Sequence, residues 1–534
     1  MAMLRKKFRT VYFGLMVIVP MSWLNAQKRE VFPIPVQRLA LRECILMALR
    51  HNLELKMEAL NPRILDAELD KAVAGWGNPV LYEPVFRASV EHVYNENPFY
   101  VSPLAAAFFG APANDKFTPN TQHTATLNFS LEQRFTTGTS YVFSYAHSYT
   151  KVDLTSGLKD EYIPQISLQV SQNLLKGLGK IPNEAPILIA RNNRKISFLA
   201  FRLRLYQILQ EVENRFWDVV LAKEQWELKK KSLKVARELT KIAMEKERVG
   251  KTSPLETLRF RSAEATREAE LLEALNAWKN ASDRLAELIM PLRDFQSFRR
   301  LILPKVRRKM EVSPLDLRKN LAMALKFRPE LEQAKLKLRS SEVYLAKAGN
   351  DLLPQLDLSA GIFWTGAGET IGESFREMET LDFYGFQAAL NFSYPLFQKG
   401  ARAEYRKAQL QARQARLGVL LQKRQIYLQI RVALRNLLSA QKIYKARQKS
   451  TKFAKRKLDK EKEMFRVGRS TSHNVIKIEE EHRQAEVFEL QAKINIYKAQ
   501  VALEYARGTL LQRHRIIWED FLSKRLLYEK RKSP

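Results

Sequence analysis

The chain has 534 residues, of which 46% are hydrophobic and 10% aromatic, too much apolar content for an intrinsically disordered protein. Its one cysteine, Cys44, excludes a disulfide framework and a multi-cysteine zinc site. The formal net charge of +33 is spread along long helical runs and reads as a solvated Lys/Arg-rich surface. A nucleic-acid partner would instead call for a concentrated basic face beside stacking aromatics.

The N-terminus reads as an export address. Arg5, Lys6, Lys7 and Arg9 precede a short apolar run, Val11 to Val19, which Pro20 breaks, and Ala26 offers a small residue for cleavage. These are the features of a secretory signal peptide over 1–26. Setting its four basic residues aside leaves a charge of +29. No cysteine stands at the cleavage position after the apolar run, which argues against a lipid anchor, and no later run of eighteen apolar residues predicts a membrane helix. Any membrane this chain spans must therefore be spanned by strands.

After a Pro-containing extended lead (31–36), residues 39–74 read as helix. From Pro84 the apolar period changes from 3.6 to 2. Phe86, Ala88 and Val90 alternate with polar neighbours, as do Ala125 to Leu131, Tyr141 to Tyr149 and Ile166 to Val170. These segments of about ten residues fit tilted membrane strands, with small polar residues on one face and aromatics on the other. A soluble sheet with one wet face makes the same alternation. Glu96 to Asn120 reads as an irregular connection. A helix then runs from about Ile181 to a turn at Arg248-Val249-Gly250-Lys251-Thr252-Ser253-Pro254, and restarts from Leu255 to Ile289. Gly past a helix end and Ser-Pro at the next start are stop-and-restart chemistry. Ser253 and Glu256 have capping-box spacing.

Residues 291–314 read as a linker, and helices 315–350 and strands 355–394 follow. The polar Gly366 to Thr380 reads as an exposed loop. Gly400 to Val467 is a second long helix of about 100 Å at ~1.5 Å per residue, and Thr471 to Leu511 returns from a second turn, Arg466-Val467-Gly468. Helices this long need partners along their length. Glu479, Glu480, Glu481 and His482 read as a solvated helix face rather than metal ligands, and 513–534 as a basic tail. Residues 48–55 (ALRHNLEL) reappear at 324–331 (ALKFRPEL), and the Arg-Val-Gly turn at 248–250 reappears at 466–468. The chain is thus two repeats, 27–290 and 315–512, the first carrying extra strand-rich sequence.

These paired segments, the strand-to-helix junctions SQNLLKGLG (171–179) and SYPLFQKGARAEYRKAQ (393–409), and the two turns together resemble the TolC family of outer-membrane efflux and secretion channels. The resemblance covers nearly the whole mature chain. It implies an α+β membrane protein: a homotrimer whose strands form one β-barrel in outer-membrane lipid, continued by a periplasmic α-barrel of helical hairpins. It also implies a periplasmic adaptor and an inner-membrane transporter as partners, with no cofactor and no catalysis.

By the same resemblance the hairpin tips are the periplasmic gate, with Gly250, Glu256, Phe465, Gly468, Arg469, Ser470, Asn474 and Lys477 as candidate residues. Gly177, Pro395 and Gly400 mark the strand–helix junctions. Asn474, Lys477 and Ser470 occupy positions where the family carries acids and an arginine, so a basic ring is expected in place of an acidic one. Glu256 can equally be only a capping residue, and Lys477 can face the lumen or its neighbouring helices. Two further departures bear on the barrel. The family has four strands per protomer where six candidates occur here, so a hairpin near 123–150 enlarges the barrel or lies beyond it. Asn173 stands where the first junction would carry Pro, so that junction is expected to be less rigid. The competing reading is a periplasmic coiled-coil adaptor or spacer, which leaves six strands without a role. No nucleophile elbow, phosphate loop or zinc motif supports an enzyme.

Overall fold

The computed structural model describes residues 36–75, 82–99, 107, 118–153, 160–250, 252–291, 300–306 and 316–517. The expected signal peptide and most of the basic tail lie outside these residues. The sheet that organises one end is a six-stranded meander. Its strands are β2 (Val85–Phe99), β3 (Thr118–Arg134), β4 (Thr139–Asp153), β5 (Glu161–Asn173), β7 (Gln355–Thr365) and β8 (Tyr384–Ser393), all antiparallel and in that spatial order. The register carries the period-2 pattern across every strand: Phe86, Leu131, Phe143, Leu168, Ile362 and Phe386 form one continuous row. Arg87, Ser130, Ser144, Ser167, Phe363 and Gly385 form the adjacent row on the opposite face.

The expected hairpin near 123–150 is thus an integral part of the sheet. Strands β2 and β3 also extend into the segment read as an irregular connection, because Thr- and Asn-rich sequence pairs as readily as alternating sequence once a neighbour holds it. The Gly366–Thr380 loop contains a helix, α8 (Ile371–Glu379), capped by the Thr370 hydroxyl, which accepts from the Glu373 N–H at 3.3 Å. Its Phe375 stacks on Tyr145 and His147, with ring centroids 6.4 and 5.6 Å away.

The remaining chain forms a wall four helices wide. Next to the sheet, α3 (Asn61–Ala74), α4 (Lys180–Arg248), α7 (Pro329–Asn350) and α9 (Lys399–Arg466) pack side by side in that order. Further out, α5 (Pro254–Ile289) takes the place of α3, and α10 (Ser472–Arg507) takes the place of α7. The two long helices, of 69 and 68 residues, thereby gain the partners their length demands.

A compact middle region joins the two halves. Here the segment expected to be one helix from 39 begins as a strand, β1 (Val36–Ala40), and then breaks into α1 (Leu41–His51), α2 (Leu53–Glu58) and α3. Strand β1 pairs in parallel with β6 (Leu301–Lys305), which lies in the stretch expected to be a linker. Two five-residue strands separated by 260 residues leave no local signal of pairing. The core around them includes Phe201, Leu205, Phe216, Trp217, Leu285, Ile289 and Ile302. Trp217 lies face to face with Tyr497 at 4.1 Å and edge-on to Phe216. The final helix, α11 (Leu510–His514), closes over this core, where His514 Nε2 sits 2.6 Å from the buried Glu213 carboxylate.

The duplication is visible atom by atom. Asn52 ends α1 and precedes α2 with φ −61° and ψ 122°; Arg328 ends α6 (Leu317–Phe327) and precedes α7 with φ −75° and ψ 122°. Ala48 and Ala324 are both fully buried, as are Leu285 and Leu503.

Candidate functional site

The two hairpin tips are built alike. Val249 and Val467 end α4 and α9, and Gly250 and Gly468 follow at φ +72° and +81°, the left-handed conformation that glycine adopts without strain. Ser253 and Thr471 then cap α5 and α10, their hydroxyls accepting from the N–H groups of Glu256 and Asn474, each at 3.4 Å. The expected capping box at the first tip is only half formed. Glu256 does not return to the cap, and its carboxylate accepts instead from Arg259 at 3.1 Å. Asn474, Lys477 and Arg469 are exposed on the protomer, and Ser470 donates to the Glu461 carboxylate.

Phe465 is what brings the tips together. Its ring lies 6.0 Å from the buried Phe260 of α5, and the Lys246 ammonium of α4 sits 4.4 Å over it, within cation–π range. About 12–18 Å along α10 from its start, a denser connection joins the hairpins. Lys229, Arg267 and Arg483 face Glu270, Glu479 and Glu480 across α4, α5 and α10. Arg267 reaches Glu480 at 2.6 Å and Glu479 at 3.3 Å, while Arg483 reaches Glu270 at 2.7 Å and also pairs with Glu480. Lys229 holds Glu270 at 2.8 Å, and the Ser232 hydroxyl donates to Glu479 at 2.9 Å.

Both arginines are buried, so their charges require these partners. Burial by itself would raise the Glu480 pKa, but the Arg483 hydrogen bond and the charges of Arg483, Arg267 and Lys229 reverse this and hold the carboxyl below its ordinary range. Glu481 is held low by the Lys457 ammonium 2.6 Å away, with Lys477 adding to the effect. The Glu-Glu-Glu run is thus only partly the solvated face its sequence suggested: Glu481 is exposed, whereas Glu479 and Glu480 pair with buried arginines. Polar residues at helical spacing look the same whether they face water or buried arginines on a neighbouring helix.

At the sheet end, the first junction is tightly tied. Gly177 has φ +82°, its N–H donates to Asn350 at 2.8 Å, and its carbonyl accepts from the Asn183 amide at 2.7 Å. These bonds tie the junction without a proline. Substituting Gly177→Ala would add strain at positive φ and place a Cβ 2.5 Å from the Asn173 amide, so a loss of about 1–3 kcal/mol is expected in denaturant unfolding, with Gly179→Ala, which has open space around it, milder. In the second junction Pro395 precedes Gln398, the residue that takes the left-handed conformation (φ +44°) and binds the Leu352 carbonyl at 3.0 Å. Gly400 lies in the first turn of α9 with no close neighbour, so Gln398 is the conformational pivot that the sequence did not announce.

Residues 320–509, which make up most of the second repeat, match the family described as "Outer membrane efflux protein". That match takes in about a third of the chain. No curated protein matches the chain by sequence. In structure it is similar to the CmeC outer membrane channel of Campylobacter jejuni (16% identity, 88% of this chain and 85% of that one, TM-score 0.61). It is likewise similar to the outer membrane protein VceC of Vibrio cholerae (15%, 88% and 96%, 0.59) and to the MtrE outer membrane channel of Neisseria gonorrhoeae (15%, 88% and 88%, 0.54). Fold likeness thus extends over both repeats. Among the described residues no helix is long and apolar enough to cross a membrane.

Placed in a bilayer, the two sheet faces would be unequal. Leu168→Arg, in the continuous apolar row, is expected to cost about 2–4 kcal/mol near mid-bilayer, whereas the neighbouring Ser167→Arg on the polar face costs little. Outer-membrane yield of folded protein for the two variants checks this.

Proposed function

We propose that the protein is a passive, trimeric export duct of a tripartite efflux pump or type I secretion system, gated at its periplasmic helical tips. The observation that carries this reading is the union, in one protomer, of an unclosed sheet with an exposed apolar face and a helical wall with exposed apolar flanks. On the α9 flank, Leu410, Leu417, Leu421 and Leu428 are more than half exposed, and on the opposite flank so are Ile64 and Leu272. Apolar stripes of this kind on long helices are the surfaces that neighbouring helices cover.

In this reading Phe465, with Phe260 and Lys246, holds the tips in register. Gly250 and Gly468 form the turns, and Glu256, Arg469, Ser470, Asn474 and Lys477 set the charge of the mouth. Arg469 and Lys477, both exposed at the second tip, favour an anion-preferring entrance. An adaptor protein and an inner-membrane transporter complete the pathway. Purified protein in a planar bilayer is expected to form pores whose reversal potential in a salt gradient shows anion preference. Cation preference would remove the basic mouth, and the absence of any pore, together with recovery in the detergent-free periplasmic fraction, would favour an envelope spacer instead.

A further inference from the structure

The sheet has two strands, β2 and β8, that each pair with a single neighbour among the described residues. Six strands are too few to close by themselves, since eight give an interior that side chains already fill. In lipid an open edge leaves backbone groups without hydrogen bonds at a cost of several kcal/mol each. The outward residues of both edge strands are also the barest apolar groups of the sheet: Val90 is 80% exposed on β2, and Phe386 is 83% exposed on β8. Five successive antiparallel pairings lie between them, so β2 and β8 run in opposite directions. The β8 edge of one copy therefore meets the β2 edge of the next in antiparallel sense.

We propose that three copies join β8 to β2 and close one eighteen-stranded barrel, with β3 and β4 as part of its wall. This inference rests on the trimeric duct proposed above. The dimensions agree with it. Eighteen strands at about 4.8 Å spacing and about 40° tilt give a circumference of roughly 113 Å. Four helices abreast in each protomer give twelve in the trimer, which at about 8–10 Å apart span roughly 96–120 Å. Twelve strands of the same spacing and tilt give about 75 Å. Residues such as Ser144, Ser167, Gln169 and Gly361 then face a lumen of the width that leaves an aqueous channel in barrels of 16–18 strands. The barrel imposes no size limit narrower than the helical tube, and solute selection falls to the tips.

Electron cryomicroscopy of the full chain in lipid nanodiscs tests this directly. The expected particle is three-fold symmetric with a barrel about 36 Å across between backbones. A three-fold particle about 24 Å across, with β3–β4 outside the wall, overturns the eighteen-stranded barrel and leaves the duct intact. A particle without three-fold symmetry overturns the trimeric duct itself. Excising residues 118–153 leaves β2 and β5 antiparallel and is expected to narrow the barrel by about one third while keeping the symmetry; an unchanged diameter overturns the proposal. The full-chain image decides by itself if the excised chain does not assemble.

Discussion

Replacing Arg483 with Met is expected to release α10 from the first hairpin. The guanidinium holds Glu270 at 2.7 Å and pairs with Glu480 while almost wholly buried. Its removal leaves two carboxylates competing for Lys229 and Arg267. Breaking a buried ion pair from one side costs about 3–5 kcal/mol, and the partial exposure of Glu480 places the expected loss toward the lower figure. The loss is local, so the measurement must be local. Amides of 229–270 and 472–486 are expected to exchange faster by roughly two orders of magnitude, at about 1.4 kcal/mol per factor of ten, while those of 201–217 remain protected. In a bilayer the same variant is expected to show larger or longer openings. Unchanged exchange at 472–486 would mean that the aromatic contact of Phe465 carries the connection alone.

The same cluster sets a pH dependence with a definite sign. Glu480 has its pKa lowered in the folded chain, so its contribution is present above the ordinary carboxylate range and is lost only as pH falls through the lowered value. Opening driven by protonation of this group is therefore expected only below the ordinary carboxylate range.

The second large effect is expected at the middle region. Trp217→Ala removes the largest fully buried side chain, together with its stacking on Tyr497, and a loss of about 3–5 kcal/mol follows from truncating a packed aromatic. Trp217→Phe keeps a ring against Tyr497 and should lose less. The guanidinium midpoint of detergent-solubilised protein, followed by far-ultraviolet circular dichroism, is the measurement. A midpoint within error of the wild-type value for Trp217→Ala would show that this core does not limit unfolding.

Long-period features of the fold were plain in the sequence, and short-range polar pairing was not. The Arg-Val-Gly turns, the capping hydroxyls of Ser253 and Thr471 and the alternation from Phe86 to Tyr394 each act through backbone chemistry that repeats wherever the pattern does. They predicted the hairpins and the six strands correctly. The β1–β6 pair escaped because five residues cannot establish a period. The charged cluster escaped because Glu479 and Glu480 carry no mark of a buried partner 212 residues away, and only the packing of α5 against α10 brings Arg267 to them. At the junctions the glycine signal pointed to Gly400, but the backbone turns at Gln398. A residue other than glycine holds a left-handed conformation when its side chain is tied, and that tie to Leu352 is invisible along the chain.

The β1–β6 pairing also fixes an order of events. A chain that enters the periplasm N-terminus first presents Val36–Ala40 long before Leu301–Lys305 arrives. Likewise β5 waits for β7, supplied only after residue 355. Neither the middle region nor the sheet can be finished by the first repeat alone, so the translocated first half must stay soluble while incomplete. Its polar, densely charged α4 and α5 suit that wait, and a chain truncated near residue 290 should be digested by a periplasmic protease that spares the full-length protein.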